Sequence, residues 1–199
     1  NSHELTAKLA CAGIYPETSC DTELVLLSYL QNGPDFVKQL DGIFAFAIYD
    51  EFHSRLLLCR DPFGVKPLFY TIVDGMLVFS SELKGIHCYP FFQPILKKDG
   101  LNELLGIGPA RIPGSGVLDG VYELLPGSIV TFSPYGKKEE IYYRICAHPH
   151  EDSYEETIEK TTFLVTDAIK RQMISDVPIC TFLSGGIDSS LVSSVCETQ

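Results

Sequence analysis

The chain has 199 residues, 45% of them hydrophobic, and a formal net charge of −11 at pH 7. That hydrophobic content is sufficient for a packed core, which argues against a wholly disordered protein. The acidic balance, with lysine and arginine scattered along the chain, argues against a nucleic-acid or membrane-surface partner. We therefore expect no nucleic-acid partner and no membrane partner. In addition, no apolar run reaches membrane-spanning length and no signal peptide is recognisable.

The chain contains seven cysteines, an odd number, with no Cys-x-x-Cys pair. Several of them lie in apolar segments, so the sequence predicts buried free thiols in a reducing cytoplasm. The histidines lack zinc-ligand spacing with these cysteines, which argues against a zinc site.

The chain opens in a helical pattern. Ser2–Leu9 is predicted as a short helix and Asp21–Gln31 as a second one. The triplet at 32–34, Asn-Gly-Pro, is predicted to end the second helix, because glycine followed by proline stops helical structure. A short third helix is predicted around Phe36 and Leu40.

Strand patterns follow. Gly42–Tyr49 has large side chains on one face and small ones on the other, which predicts a sheet covered on both sides. Arg55–Cys59 is the predicted return strand. Leu68–Val73 and Met76–Ser80 are predicted to form a hairpin through Asp74-Gly75, a strong turn signal.

The region after this hairpin has weaker patterns. Asp99–Leu105 is predicted as a short helix, and the stretch 106–116 as a loop rich in glycine and proline. The predicted peripheral strands are Val121–Leu125, Ile129–Phe132 and Glu140–Arg144.

A linker pattern at 147–152 divides the chain. We predict an α+β domain with a mostly antiparallel sheet at 1–146 and the first α/β unit of a second domain at 147–199. Ser153 and Glu156 form a capping-box pattern that opens a long amphipathic helix. The positions predicted to form its buried face are Tyr154, Ile158, Val165, Ala168 and Ile169.

The apolar segment Val177–Leu183 is predicted as a buried strand, and the string LSGGIDSS at 183–190 follows it. A strand, a glycine-rich turn and a helix start make an anion site, because glycines admit a close backbone approach and first-turn N–H groups point at negative charge. Ser184, Ser189 and Ser190 add hydroxyl donors. Asp188 would repel an anion unless a metal ion lies between them. An ordinary turn with capping serines is the alternative interpretation.

The glycine motif matches neither the Walker loop nor the Rossmann loop, because Gly-Lys-Ser/Thr and G-x-G-x-x-G are both absent. It resembles the pyrophosphate loop of the ATP pyrophosphatases, which cleave ATP between the α- and β-phosphates and adenylate a substrate. The strings DGIFAFA at 41–47, RDPFGVKPL at 60–68 and FSSELK at 79–84 are similar to signatures of class II glutamine amidotransferases.

Further strings, GPARIPG at 108–114, LPGS at 125–128 and SDVP at 175–178, extend the likeness. In this joint order, essentially the whole chain resembles glutamine-hydrolysing asparagine synthetases of bacterial type. The resemblance implies an N-terminal-nucleophile (αββα) sandwich lacking its first strands. The first α/β unit of an adenine-nucleotide α-hydrolase-like domain is implied to follow it.

The reaction implied by the resemblance converts aspartate, glutamine and ATP into asparagine, glutamate, AMP and pyrophosphate. It proceeds through β-aspartyl-AMP and ammonia transferred inside the protein. ATP and Mg²⁺ are the implied cofactors, and the implied partners are the small-molecule substrates and a second copy in a homodimer. The implied compartment is the cytoplasm.

The resemblance assigns Asp21 to the α-amino group of glutamine; a helix N-cap is the alternative interpretation of this residue. Asp188 is the implied Mg²⁺ ligand. The implied ATP and pyrophosphate contacts are Phe182, Ser184, Gly185, Gly186, Asp188, Ser189 and Ser190.

No catalytic residue is assigned within the chain. Asn1 resembles the last residue of a family motif, Asn-Gly-Glu-Ile-Tyr-Asn, that lies downstream of the nucleophilic cysteine. We therefore expect the chain to be an internal fragment, inactive alone, with that cysteine upstream. Among the charged loop residues, Arg60, Asp61 and Lys66 are predicted to fix a turn through an ion pair, and Glu82 with Lys84 to serve as scaffold.

Two other functions remain open from the sequence. One is a different carboxylate-adenylating enzyme, resembling β-lactam synthetase, that keeps the sandwich and does not use glutamine. The other is a non-catalytic module that keeps the amidotransferase fold and has lost its activity.

Overall fold

The computed structural model describes residues 1–108, 110–175 and 177–198. Pro109 and Asp176, which belong to two of the quoted strings, lie outside the described residues. The chain divides into two compact units, Asn1–Ile145 and Cys146–Gln199. Within the described ranges, no helix is both long and apolar enough to cross a membrane.

The first unit opens with helices at the predicted places. Helix α1 is Ser2–Cys11 and helix α2 is Asp21–Asn32. Gly33 ends α2 with φ of 61°, in the left-handed region that favours glycine. The third predicted helix is a 3₁₀-helix, Gly33–Gln39, with proline at its start.

Two antiparallel sheets form the centre of this unit. The first has the strand order β1-β2-β6-β7 and the second the order β4-β3-β5. The strands are β1 (Ala45–Asp50), β2 (Arg55–Arg60), β3 (Phe69–Val73), β4 (Met76–Ser80), β5 (Val121–Glu123), β6 (Ser128–Ser133) and β7 (Gly136–Ile141).

Strand β2 shows how the layers stack. Leu57 is fully buried in a cluster with Phe36 from the 3₁₀-helix. Its neighbour Leu58, on the opposite face of the strand, is fully buried in a cluster with Tyr70 of the second sheet and with Leu68, which directly precedes β3. Successive strand residues point to opposite faces, so the first sheet is covered by helices on one side and by the second sheet on the other. The predicted two-sided burial is therefore observed at β2, whereas in β1, from which it was predicted, Ala47 and Tyr49 are exposed.

Helix α3, Leu83–His87, packs on the far face of the second sheet. Its Ile86 is fully buried against Phe69 and Val121. Helix α4 follows at Lys98–Gly106. The resulting order of layers is helix, sheet, sheet, helix.

The prediction of a strand at Glu140–Arg144 is wrong in its position, because the observed strand β7 is Gly136–Ile141. It pairs with β6 from Ser133↔Gly136 to Ser128↔Ile141, so a two-residue turn joins the two strands. All its residues are exposed, because it is the edge of its sheet. Charged residues are common on such edges, and here they hide the strand pattern.

The described residues of the second unit form two helices, α5 (Tyr154–Gln172) and α6 (Ile187–Glu197). The predicted capping box is present: the Ser153 hydroxyl accepts the Glu156 N–H at 3.3 Å, and the Glu156 carboxylate accepts the Ser153 N–H at 2.9 Å.

Two predictions about this unit are wrong. Val177–Leu183 forms no strand, because no strand in the described part of the chain offers it backbone hydrogen-bond partners. No residue of α5 is buried either, and Tyr154 is 75% exposed. Within this unit α5 meets only α6 among the helices, which leaves its apolar face uncovered.

The prediction of buried cysteines holds only for Cys59, whose thiol pKa is raised to about 12 by burial. The exposed ones stand at helix ends or in connecting segments, where little side-chain packing is available. They are Cys11, Cys20, Cys88, Cys146 and Cys180.

Candidate functional site

The predicted anion loop turns directly into helix α6. Gly185 has φ of 83°, a conformation that L side chains rarely adopt, and Gly186 is the N-cap of the helix. The N–H groups of Ile187, Asp188 and Ser189 lie in the first helical turn, where no intrahelical carbonyl is available to them. This backbone arrangement provides donors and a favourable dipole for an anion.

The serine hydroxyls brace the loop. The Ser189 hydroxyl lies 2.9 Å from the Ser184 hydroxyl and 3.1 Å from the carbonyl oxygen of Gly186. It also accepts the Ser184 N–H at 3.3 Å, and Ser190 donates to the Gly186 carbonyl at 2.8 Å. The hydroxyls that the sequence assigns to an anion therefore hold the turn closed, and an anion here would be met first by the backbone N–H groups.

The surroundings of Gly186 are not crowded. A Cβ atom built there would lie 3.6 Å from the Ser184 hydroxyl oxygen and 4.0 Å from that of Ser189, which is ordinary van der Waals contact. Its φ of −81° suits any residue. Neither strain nor crowding within the described residues therefore requires glycine at this position.

Phe182 and Asp188 border a groove of about 630 Å³ between α5 and α6. Phe182 is 92% exposed, and the Asp188 carboxylate is exposed in the first turn of α6. Among the described residues, no group of three or more His, Cys, Asp or Glu side chains could hold a metal ion. The Asp188 carboxylate therefore stands apart from any such cluster, and its predicted role as a Mg²⁺ ligand stays a prediction.

Asp21 is the first residue of α2, and Cys20 is the N-cap. The Asp21 carboxylate makes no capping hydrogen bond, so its interpretation as an N-cap is wrong. Among the described residues, its contacts are the Cys20 thiol at 3.9 Å and the Thr22 hydroxyl at 3.5 Å. The carboxylate is exposed at a helix N-terminus and remains available to a cationic group.

The loop after β2 is fixed by charged side chains, but not through the predicted ion pair. The buried Asp61 carboxylate accepts the N–H groups of Phe63, Val65 and Lys66 at 3.0–3.1 Å. This residue therefore has a structural role.

The ion-pair partner of Arg60 is Glu123 in β5, at 3.0 Å, and both side chains are buried. Arg60 also donates to the Gly64 carbonyl at 2.8 Å and the Lys66 carbonyl at 2.7 Å. Glu82 and Lys84 form an exposed ion pair at 2.9 Å; their role as scaffold stays a prediction.

Two features of the candidate sites escaped sequence reasoning. Glu23 hydrogen-bonds to the turn that precedes Asp21. Its place three residues after the N-cap, where capping boxes have Glu, is a signal that could have found it. The Thr181 and Ser193 hydroxyls lie 2.9 Å apart and tie the segment before the loop to α6; no sequence signal predicts this pair.

Comparison with known protein families identifies the first unit. Residues 1–143 match the family model of the glutamine amidotransferase domain. The chain belongs to the glutamine amidotransferase family. Its residues 161–199, which include the anion loop, match a second family model, asparagine synthase.

Two curated relatives align with almost the whole chain, including the residues of both family matches. Asparagine synthetase [glutamine-hydrolyzing] 3 of Bacillus subtilis is 40% identical, over 98% of this chain and 32% of the relative. Asparagine synthetase [glutamine-hydrolyzing] 1 of the same organism is 32% identical, over 99% of this chain and 31% of the relative. The chain thus spans about a third of the length of these relatives, and the resemblance stated from its motifs is confirmed.

A solved structure supports the fold of this family member. Glutamine phosphoribosylpyrophosphate amidotransferase of B. subtilis aligns with a TM-score of 0.51 at 22% identity, covering 73% of this chain and 27% of that one. At this identity the likeness concerns the fold alone. Together with the observed layers, it confirms the N-terminal-nucleophile sandwich.

Proposed function

We propose that this chain acts within a glutamine-hydrolysing asparagine synthetase. The predicted domain 1–146 belongs to the part of the enzyme that releases ammonia from glutamine, and the predicted domain 147–199 begins the part that activates aspartate with ATP. The proposal rests on one observation: a single chain contains both family matches, the amidotransferase domain at 1–143 and asparagine synthase at 161–199. The second match includes the glycine-serine loop at the start of α6.

Asp21 is the proposed contact for the α-ammonium group of glutamine. An exposed carboxylate that no backbone N–H occupies is the side chain that such a cation requires. Acidic residues in the first turn of α2, Asp21 and Glu23, add to the local negative charge.

The loop at 184–190 is the proposed site for the pyrophosphate part of ATP. The first-turn N–H groups of α6 would stabilise the negative charge that develops on the leaving group, and the helix dipole would add to this. Ser184 and Ser190 would exchange their internal hydrogen bonds for phosphate oxygens. Phe182, exposed at the groove, would offer apolar contact to the nucleotide.

Asp188 is the proposed protein ligand of Mg²⁺. The ion, when bound, supplies positive charge that offsets the charge on the phosphate oxygens. Without the ion, the Asp188 carboxylate would repel the pyrophosphate. An acidic residue next to the proposed pyrophosphate site therefore requires a cation between the two negative charges.

The proposed reaction has two stages. A carboxylate oxygen of the aspartate side chain attacks the α-phosphorus of ATP, and the bond to the β-phosphate breaks to release pyrophosphate. Ammonia from glutamine then attacks the resulting acyl carbon, and AMP leaves to give asparagine. The cytoplasm is the proposed compartment, since an odd number of cysteines without Cys-x-x-Cys pairs suits a reducing environment. A homodimer stays a prediction.

The test uses the gene product that carries this chain, with all the sequence encoded on either side. Replacing Asp188 with Asn is expected to slow aspartate-dependent exchange of pyrophosphate into ATP by roughly 100-fold and to leave glutamine hydrolysis unchanged. Glu197→Gln removes the same charge from the other end of α6 and serves as the control. Normal pyrophosphate exchange in the Asp188→Asn protein would refute the proposed metal and pyrophosphate site.

The two open alternatives are outcomes of the same assay. ATP cleavage that depends on a different carboxylate, without glutamine hydrolysis, would indicate an enzyme like β-lactam synthetase. Absence of both ATP cleavage and glutamine hydrolysis in the unaltered protein would indicate a non-catalytic module.

A further inference from the structure

Glu23 holds the turn in front of helix α2. It stands three residues after the N-cap, and its carboxylate accepts the backbone N–H groups of Glu17 at 2.9 Å and Thr18 at 2.8 Å. The Thr18 hydroxyl donates to it as well. The bonds from the Thr18 hydroxyl and from these N–H groups lower the pKa of Glu23 below its ordinary value.

Thr18 extends this contact to the N-cap. Its hydroxyl oxygen accepts the Cys20 N–H at 3.1 Å. In a capping box the glutamate would reach the N-cap N–H itself. Here Thr18 lies between them, so a chain of hydrogen bonds through Glu23, Thr18 and Cys20 fixes the whole turn at 17–20.

This arrangement leaves Asp21 out of the capping. The neighbouring N-cap N–H is satisfied by Thr18, and among the described residues the Asp21 carboxylate has only weak contacts with Cys20 and Thr22. A carboxylate at a helix start normally serves the backbone. Because Glu23 and Thr18 organise this turn, Asp21 keeps its charge and lone pairs for a ligand.

We propose that Glu23 is a positioning residue for glutamine binding, which holds the turn at 17–20 and the start of α2 so that the Asp21 carboxylate is presented in its binding position. The inference rests on the proposed role of Asp21 in binding the α-ammonium group. Pre-organisation of this kind increases affinity because the ligand need not order the turn on binding.

The test measures glutamine- and ammonia-dependent asparagine formation by the complete gene product. Glu23→Ala is expected to raise the KM for glutamine by roughly tenfold, with a smaller change in kcat and no change with ammonia. Glu23→Gln keeps an acceptor oxygen and is expected to recover part of this loss. The matched control is Glu17→Gln, since it removes an exposed charge from the same turn and keeps the backbone N–H that Glu23 binds.

Asp21→Ala separates this inference from the function on which it rests. If Asp21→Ala leaves the KM for glutamine unchanged, the proposed glutamine contact is wrong and the inference falls with it. If Asp21→Ala raises the KM and Glu23→Ala does not, only the positioning role is refuted. The double variant is expected to be no worse than Asp21→Ala alone, because Glu23 acts through Asp21.

A second measurement needs no activity. Amide hydrogen exchange at Glu17, Thr18 and Cys20 is expected to become faster in Glu23→Ala and to stay unchanged in Glu17→Gln. Equal exchange rates in the Glu23→Ala and unaltered proteins would show that the turn is held by other contacts and would overturn the proposal.

Discussion

The two units of this chain are organised by different kinds of interaction. In the first unit, the sheets and helices enclose clusters of fully buried side chains such as Phe36, Leu57 and Ile86. In the second unit, neither helix contains a buried residue. Its order comes from local signals: a capping box at Ser153 and a glycine conformation at Gly185. Long-range packing thus determines one unit, and short-range hydrogen bonding determines the other.

This difference reaches the candidate sites. Both candidate sites lie at helix N-termini, next to turns that are held by hydrogen bonds within a few residues, through Glu23 in one case and through Ser189 in the other. Only the first stands on a helix that is anchored in a core, by Leu24 and Tyr29. Changes in packing should therefore affect the two units unequally.

A matched pair of leucine truncations tests the contrast most directly. Leu57 is fully buried, and Leu164 on α5 is 63% exposed. Leu57→Ala is expected to lower the free energy of unfolding by about 3 kcal/mol, because it removes buried methyl groups and leaves a cavity. Leu164→Ala is expected to change it by less than about 0.5 kcal/mol. Urea unfolding followed by circular dichroism measures both, and equal losses would contradict the comparison.

The next largest difference in unfolding free energy is expected between Asp61→Ala in the first unit and Asp188→Ala in the second. Asp61→Ala leaves three backbone N–H groups of its loop without their acceptor, at a cost of about 2–3 kcal/mol of unfolding free energy. Asp188→Ala in the second unit is expected to leave stability unchanged, since that carboxylate is exposed. The same urea titration compares them. A loss below about 0.5 kcal/mol in Asp61→Ala would mean that water replaces the carboxylate.

Acid should weaken the first unit through Asp50. Burial by itself raises the pKa of this carboxyl, but hydrogen bonds from Tyr29, His53 and Arg55 outweigh it and hold the pKa well below its ordinary value. Because the unfolded chain takes up the proton first, this contribution is complete above about pH 4 and decreases as the pH falls further.

Asp50→Asn is therefore expected to flatten the dependence of stability on pH below about pH 4, by at most about 1.4 kcal/mol per pH unit for one proton. Unfolding midpoints at several acidic pH values measure the slope. An unchanged slope would indicate that other carboxylates carry the acid sensitivity.

The smallest expected effect tests the local order of the second unit. Ser153→Ala removes the hydroxyl that caps α5 and is expected to destabilise the helix start by about 1 kcal/mol. Amide exchange in the first turn of α5 should accelerate, whereas exchange in β2 should stay the same. Ser153→Asp keeps an acceptor at the N-cap and is the control, expected to restore protection.

Local signals in the sequence determined much of the backbone. The hairpin turn at Asp74-Gly75, with φ of 50° and 79°, the end of α2 at Gly33, the capping box of α5 and the start of α6 after the glycines were all predicted. Each depends on residues a few positions apart, whose turn and capping preferences are readable in order along the chain. The motifs also indicated the family, because their order is itself a property of the sequence.

Only the tertiary structure decided which distant groups meet. Arg60 pairs with Glu123 from another strand, and Gly136–Ile141 becomes a strand because β6 lies beside it. Val177–Leu183, although apolar, stays outside any sheet for lack of a neighbour among the described strands. Strand pairing and burial depend on residues far apart in the chain. Periodicity therefore predicts only that a segment is able to form a strand or to be buried, and the tertiary contacts determine whether it does so.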